Sequence, residues 1–120
     1  MGGACLLIGA KQLVLASAAF VLSWNHSVEK TGWQESWIVQ QDGLKLMEAR
    51  VRGSGAGMDP GEGARLQDGW WVWPVDGPAI PKLVLAASGA TGGGWSFCHA
   101  GGCTILGAEP GPPVILQPCG

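Results

Sequence analysis

Tyrosine is missing from these 120 residues, and charge is scarce: seven Lys and Arg with nine Asp and Glu, 13% of the chain. That is about half the charged share of an ordinary soluble domain. The basic residues form no run or stripe, and the net charge is −2. Neither feature offers the surface that nucleic acid or an anionic membrane needs to neutralise its phosphates. Long apolar runs are missing too. Residues 4–10 and 13–24 are nearly free of polar groups, but Lys11 and Gln12 separate them. Neither run reaches the roughly 18 residues that span a bilayer, so no membrane span is expected. A secretory leader wants positive charge ahead of its apolar stretch, and nothing basic precedes Lys11. The Ala16-Ser17-Ala18 triplet has the form of a cleavage site, yet a β-hairpin is the better reading of this segment. No ten-residue stretch repeats its apolar positions at helical spacing, and no internal repeat is visible.

What is present is apolar bulk and turn residues. Apolar side chains make up 47% of the chain, with seven Trp, 21 Gly and eight Pro. Disorder requires low hydrophobicity and high net charge, and this chain has neither. Residues 1–120 are expected to form one domain, since a chain of this size buries roughly two-thirds of its unfolded surface around one core. Short extended runs alternate with Gly, Pro and Asp, which predicts strands over 5–8, 12–16, 20–26, 33–41, 44–51, 65–73, 82–87, 95–105 and 114–117. The run 65–73 is broken at Asp68-Gly69, and 95–105 turns at Ala100-Gly101. The expected fold is all-β, a small antiparallel sandwich or barrel of about eight or nine strands.

Cys98 and Cys103 flank His99-Ala100-Gly101-Gly102, so antiparallel pairing sets them directly opposite. Opposed residues carry Cβ atoms about 4.5–5.5 Å apart, near the reach of a disulfide. Cys5 and Cys119 lie in the first and last strands, and small β-domains often bring their ends together. Pairing 98–103 and 5–119 is the preferred connectivity of the three available. Free thiols are the alternative, and a zinc site fits this spacing poorly. Disulfides favour an oxidising compartment such as the periplasm, whereas the lack of an export signal favours the cytoplasm.

The chemically richest stretch is 24–52. A two-residue turn at Asp42-Gly43 would set Val39 opposite Leu46, Trp37 opposite Glu48, and Glu35 opposite Arg50. Period two then puts Trp33, Glu35, Trp37, Val39, Leu44, Leu46, Glu48 and Arg50 on one face, with Lys45, Met47, Ala49 and Val51 half exposed on the other. If strand 20–26 pairs alongside, His26 reaches the same patch. An imidazole near two carboxylates and a guanidinium suits a divalent metal, an anion or a small polar ligand. It suits an internal salt-bridge network equally well, and it is too generic to name a reaction. No catalytic residue and no cofactor is assigned. The loop Gly53-Ser54-Gly55-Ala56-Gly57 leads into no helix and carries no Lys-Ser/Thr, so it is read as a tight turn and not as a phosphate cradle. Trp70-Trp71-Val72-Trp73 is read mainly as core, with an aromatic platform for flat ligands as the sharper option.

His26-Ser27-Val28-Glu29-Lys30-Thr31 with Glu35 downstream, then Leu46-Met47-Glu48-Ala49-Arg50, then Gly55-Ala56-Gly57-Met58, resembles the bacterial family DUF1850. The likeness continues weakly through the Trp pair and Ile80-Pro81-Lys82-Leu83. Carried over by position, its motif residues are His26, Ser27, Glu29, Thr31, Glu35, Glu48, Gly55, Ala56 and Gly57. The family has no established activity. Its genes often lie beside those of TAXI-class TRAP transporters, so the resemblance implies an accessory role in solute uptake, with a transporter component or a small polar ligand as partner. Many relatives carry an N-terminal membrane anchor that places the domain outside the cytoplasm; no such anchor is read here.

Overall fold

The computed structural model describes residues 4–25, 32–52, 63–87 and 94–119. Eleven strands run through them: β1 (Ala4–Ile8), β2 (Lys11–Leu15), β3 (Ala19–Asn25), β4 (Gly32–Gln40), β5 (Gly43–Arg52), β6 (Arg65–Gln67), β7 (Trp70–Pro74), β8 (Leu83–Leu85), β9 (Trp95–His99), β10 (Gly102–Leu106) and β11 (Val114–Pro118). They form two antiparallel sheets, ordered β2-β1-β11-β8 and β10-β9-β3-β4-β5-β7-β6. Among the described residues each sheet is open at its edge strands, so the fold is a sandwich-like pair of sheets and not a closed barrel.

The core lies between the sheets and follows from alternation along each strand. Leu6, Leu15, Leu85 and Leu116 point inward from the four-stranded sheet. Phe20, Leu22, Trp37, Val39, Leu44 and Phe97 meet them from the seven-stranded sheet, all buried. Phe20 anchors this layer, stacked on Phe97 at 5.0 Å and on Trp37 at 6.4 Å between centroids. Both disulfides join the expected cysteines. Cys5 and Cys119 bridge the first and last strands with Cα atoms 5.3 Å apart. Cys98 and Cys103 are direct partners in the β9–β10 ladder, 4.1 Å apart.

The β4–β5 hairpin departs from the expected register. Gln40 pairs with Gly43, so the two-residue turn is Gln41-Asp42 and Gly43 already belongs to the strand. Gly43 is required there for space. A Cβ on it would stand 2.5 Å from the Ile80 carbonyl oxygen, because Leu44 and Ile80 exchange backbone hydrogen bonds of 2.7 and 2.8 Å. A second departure follows. The pairing shifts by one residue between Ser36 and Trp37, leaving Met47 as the extra residue of a β-bulge. The Met47 carbonyl, freed from the β4–β5 ladder, accepts a hydrogen bond from the Val75 N–H at 3.0 Å.

Candidate functional site

The bulge decides where the charged side chains of β5 go. Before it, Leu44 and Leu46 share the core side with Val39 and Trp37. Beyond it, Ala49 pairs with Glu35 and Val51 with Trp33, so Ala49 and Val51 are buried core residues and not half-exposed ones. Glu48 now pairs with Ser36, and Arg50 with Gln34, on the outer face. The expected gathering of Glu35, Glu48 and Arg50 therefore does not form: one inserted residue reverses which side every later side chain faces. Glu48 and Arg50 make their own ion pair, 3.0 Å from Arg50 Nη2 to Glu48 Oε1, and both are substantially exposed. Such a pair contributes little to stability. On the same side Arg52 lies over the Trp70 ring, 5.8 Å from its centroid. His26, Ser27, Glu29 and Thr31, with the loop Gly55, Ala56 and Gly57, lie outside the described residues.

Glu35 remains on the inner face, and its neighbours there are aromatic and aliphatic. The ladders place Phe97, Leu22, Glu35, Ala49 and Trp73 in one row across β9, β3, β4, β5 and β7. The adjoining row, toward the end of the sheet where β3 leads away, holds Trp24, Trp33, Val51 and Trp71. Trp95 joins it, 4.8 Å from Trp24. Trp24 and Trp33 stack at 6.2 Å with planes 7° apart. Trp73 meets Trp33 edge-on, 6.4 Å away at 81°, so the two indoles stand as perpendicular walls. All of these indoles are half-buried.

The Glu35 carboxylate is held by Trp37, whose indole N–H donates to Oε1 at 3.1 Å. Burial raises its pKa above the ordinary carboxylate value, and the Trp37 hydrogen bond only partly opposes this. No described basic side chain pairs with it. Lys45 is engaged by Asp76 at 3.3 Å and by the Gly77 carbonyl at 2.7 Å, and Arg50 by Glu48. Among the described residues no group of three His, Cys, Asp or Glu side chains gathers in a metal-holding arrangement. The histidine among the described residues, His99, accepts a hydrogen bond at Nδ1 from the Gly101 N–H at 3.1 Å in the β9–β10 turn.

Sequence reasoning placed Trp33, Glu35 and Trp37 together on one face, and that grouping is present. It did not find the indole row formed with Trp24, Trp73 and Trp95. The alternations Phe20-Leu22-Trp24 and Trp95-Phe97 carried part of the signal. That β9 lies beside β3 was not readable, because their facing positions Val21 and Cys98 are 77 residues apart in the chain (98 − 21), a long-range pairing. Chemically the face can stack on apolar or flat groups, accept a hydrogen bond and balance one positive charge. Among the described residues no helix is long and apolar enough to cross a membrane. A family model described as a domain of unknown function (DUF1850) matches residues 20–106. No curated protein and no solved structure matches the chain.

Proposed function

This chain belongs to the DUF1850 family, and from that premise we propose that it is a non-catalytic binding module whose ligand surface is the indole-lined inner face around Glu35. One observation carries the reading. A desolvated carboxyl sits among indoles, and Trp37 is its partner in the described structure. Polar groups placed sparingly in an aromatic surface are how small-molecule sites fix orientation. The separation of Glu35 from Glu48 supports binding over catalysis, since a two-carboxylate mechanism needs both groups on one side of the sheet. The family likeness further supports an accessory role beside a TAXI-class TRAP transporter, and the two disulfides support an oxidising compartment.

A panel of small solutes (sugars, amino acids, carboxylates and amines) tests the reading by melting temperature and indole emission. At least one class should raise the melting temperature and alter emission, and both responses should disappear in Trp33→Leu. If no solute produces them, or the variant keeps them, the binding reading fails. Co-purification with a transporter component tests the accessory role separately.

A further inference from the structure

Independently of the binding reading, and on another face, we infer that the Cys98–Cys103 bridge is a thiol-exchange site, opened reversibly by a small thiol that attacks Cys98 from a cavity beside it. Access comes first. In the seven-stranded sheet Cys98 stands between Cys103 on β10 and Val21 on β3. A cavity of about 260 Å³ has Ser17, Ala19, Val21, Cys98 and His99 in its walls. Cys103 contributes nothing to it, so the cavity meets Cys98 on the side away from its partner. A thiolate displaces one sulfur of a disulfide by approaching the other from the far side, roughly along the S–S axis. The cavity offers that approach, and its size admits a thiol as small as cysteine.

The leaving group is next. Cys103 is exposed on the edge strand β10, so the thiolate it becomes is solvated at once. A bridged sulfur carries no hydrogen, so the Ser96 hydroxyl donates to Cys98 Sγ, 3.6 Å away, and draws a little charge from the atom under attack. The fold also survives the opening. This bridge closes a separation of only five residues and constrains the unfolded chain little. The five residue pairs of β9 with β10, and the pairing of β9 with β3, hold the hairpin without it. Cys5–Cys119 differs: it too borders a cavity, about 300 Å³, but both its cysteines are half-buried and its separation is 114 residues. In the exchange the incoming thiolate bonds to Cys98 Sγ as the Cys98–Cys103 bond breaks, and Cys103 keeps the electron pair. A second thiolate then attacks the sulfur of the bound thiol, which frees Cys98 and yields the oxidised dimer of the small thiol. Two thiolates lose the two electrons that the bridge gains.

The test mixes the intact, oxidised chain with L-cysteine, quenches with acidic N-ethylmaleimide and maps the peptides by mass spectrometry. Cys98–Cys103 should open about tenfold or more faster than Cys5–Cys119, with the cysteinyl adduct on Cys98 and the maleimide on Cys103. Ala19→Leu, at an exposed position of the cavity wall, should slow that opening about threefold or more while the Cys5–Cys119 rate stays unchanged. In concentrated urea the two bridges should open at comparable rates, and cystine added to the folded, opened chain should restore the bridge with native near-UV circular dichroism. Equal or faster opening of Cys5–Cys119 in the native chain overturns the inference. So does an adduct chiefly on Cys103, a preference that persists in urea, or a folded Ala19→Leu variant that opens at the native rate. If Ala19→Leu does not fold, the position of the adduct on the native chain decides alone. The solute panel reads the other face of the sheet, so either proposal can fail while the other stands.

Discussion

At the scale of single residues, Glu35 is held by opposing demands. Its neighbours Leu22, Ala49 and Trp33 exclude water, which disfavours the ionised form, while the Trp37 N–H favours an acceptor. Burial prevails, so the folded-state pKa lies above the unfolded one. Between those two values the folded chain holds the proton more tightly than the unfolded chain does. Stability from this group is therefore greatest below the ordinary carboxylate pKa, declines as pH rises toward the raised value, and levels off above it. Among the described residues, the other titratable groups on the facing surfaces are His99, at the turn end of β9, and exposed Lys11. In Glu35→Gln the amide oxygen still accepts from Trp37, and the acid-side slope in urea midpoint should flatten without loss of stability at neutral pH. A variant that kept the native slope would show that another group carries it. Glu35 with its flanking indoles was legible in period two along β4. Glu48 and Arg50 were not, since their direction depends on a residue inserted upstream of both.

Elements show how the same dipeptide serves two ends. Asp68-Gly69 is the turn between β6 and β7, with φ of 51° and 86° at its two central residues, the conformation that Asp-Gly favours in a tight hairpin. Asp42-Gly43 is not such a turn: Asp42 closes it, and Gly43 is strand, kept bare by the Ile80 carbonyl. Gly43→Ala should accordingly cost about 1–3 kcal/mol, the usual range for overpacking against backbone. Its signature is lost hydrogen-exchange protection at the Leu44 and Ile80 amides. Gly69→Ala should cost about 1–2 kcal/mol through its positive φ alone, leaving those two amides protected. Equal loss of protection in both variants would contradict the close-approach account of Gly43. The bulge at Met47 belongs to the same construction. It falls where β7 stops pairing with β5 at Glu48, and Val75 then reaches the Met47 carbonyl.

For the whole molecule, the strongest constraint is the bond between its ends. Cys5 and Cys119 are 114 residues apart in sequence, whereas Cys98 and Cys103 are separated by five. Closing the long loop restricts the unfolded chain by about 4–5 kcal/mol and the short one by about 2 kcal/mol. Serine replacement of the first pair should thus lower the urea-derived stability about twice as much as replacement of the second. Thiol titration of the native protein should find no free cysteine before reduction, consistent with the absence of free cysteines among the described residues. Reversal of that order of stabilities would mean that the ends are held by the β1–β11 ladder more than by the bridge.

The amino-acid pattern alone pointed to the all-β character, a turn near Gly9-Ala10-Lys11, those at Asp68-Gly69 and Ala100-Gly101, and the Cys98–Cys103 cystine, because each is settled by neighbours in the chain or by strand alternation, whereas Cys5–Cys119 was expected only from the tendency of small β-domains to bring their ends together. Only the folded arrangement decided which face receives Glu48 and Arg50 and which indoles surround Glu35. The cause is the docking of residues 75–80 along β5: a segment distant in sequence occupies Leu44 and Met47, excludes a side chain at Gly43 and admits one extra residue. With a repeat of two, a single added residue is enough to exchange inside for outside.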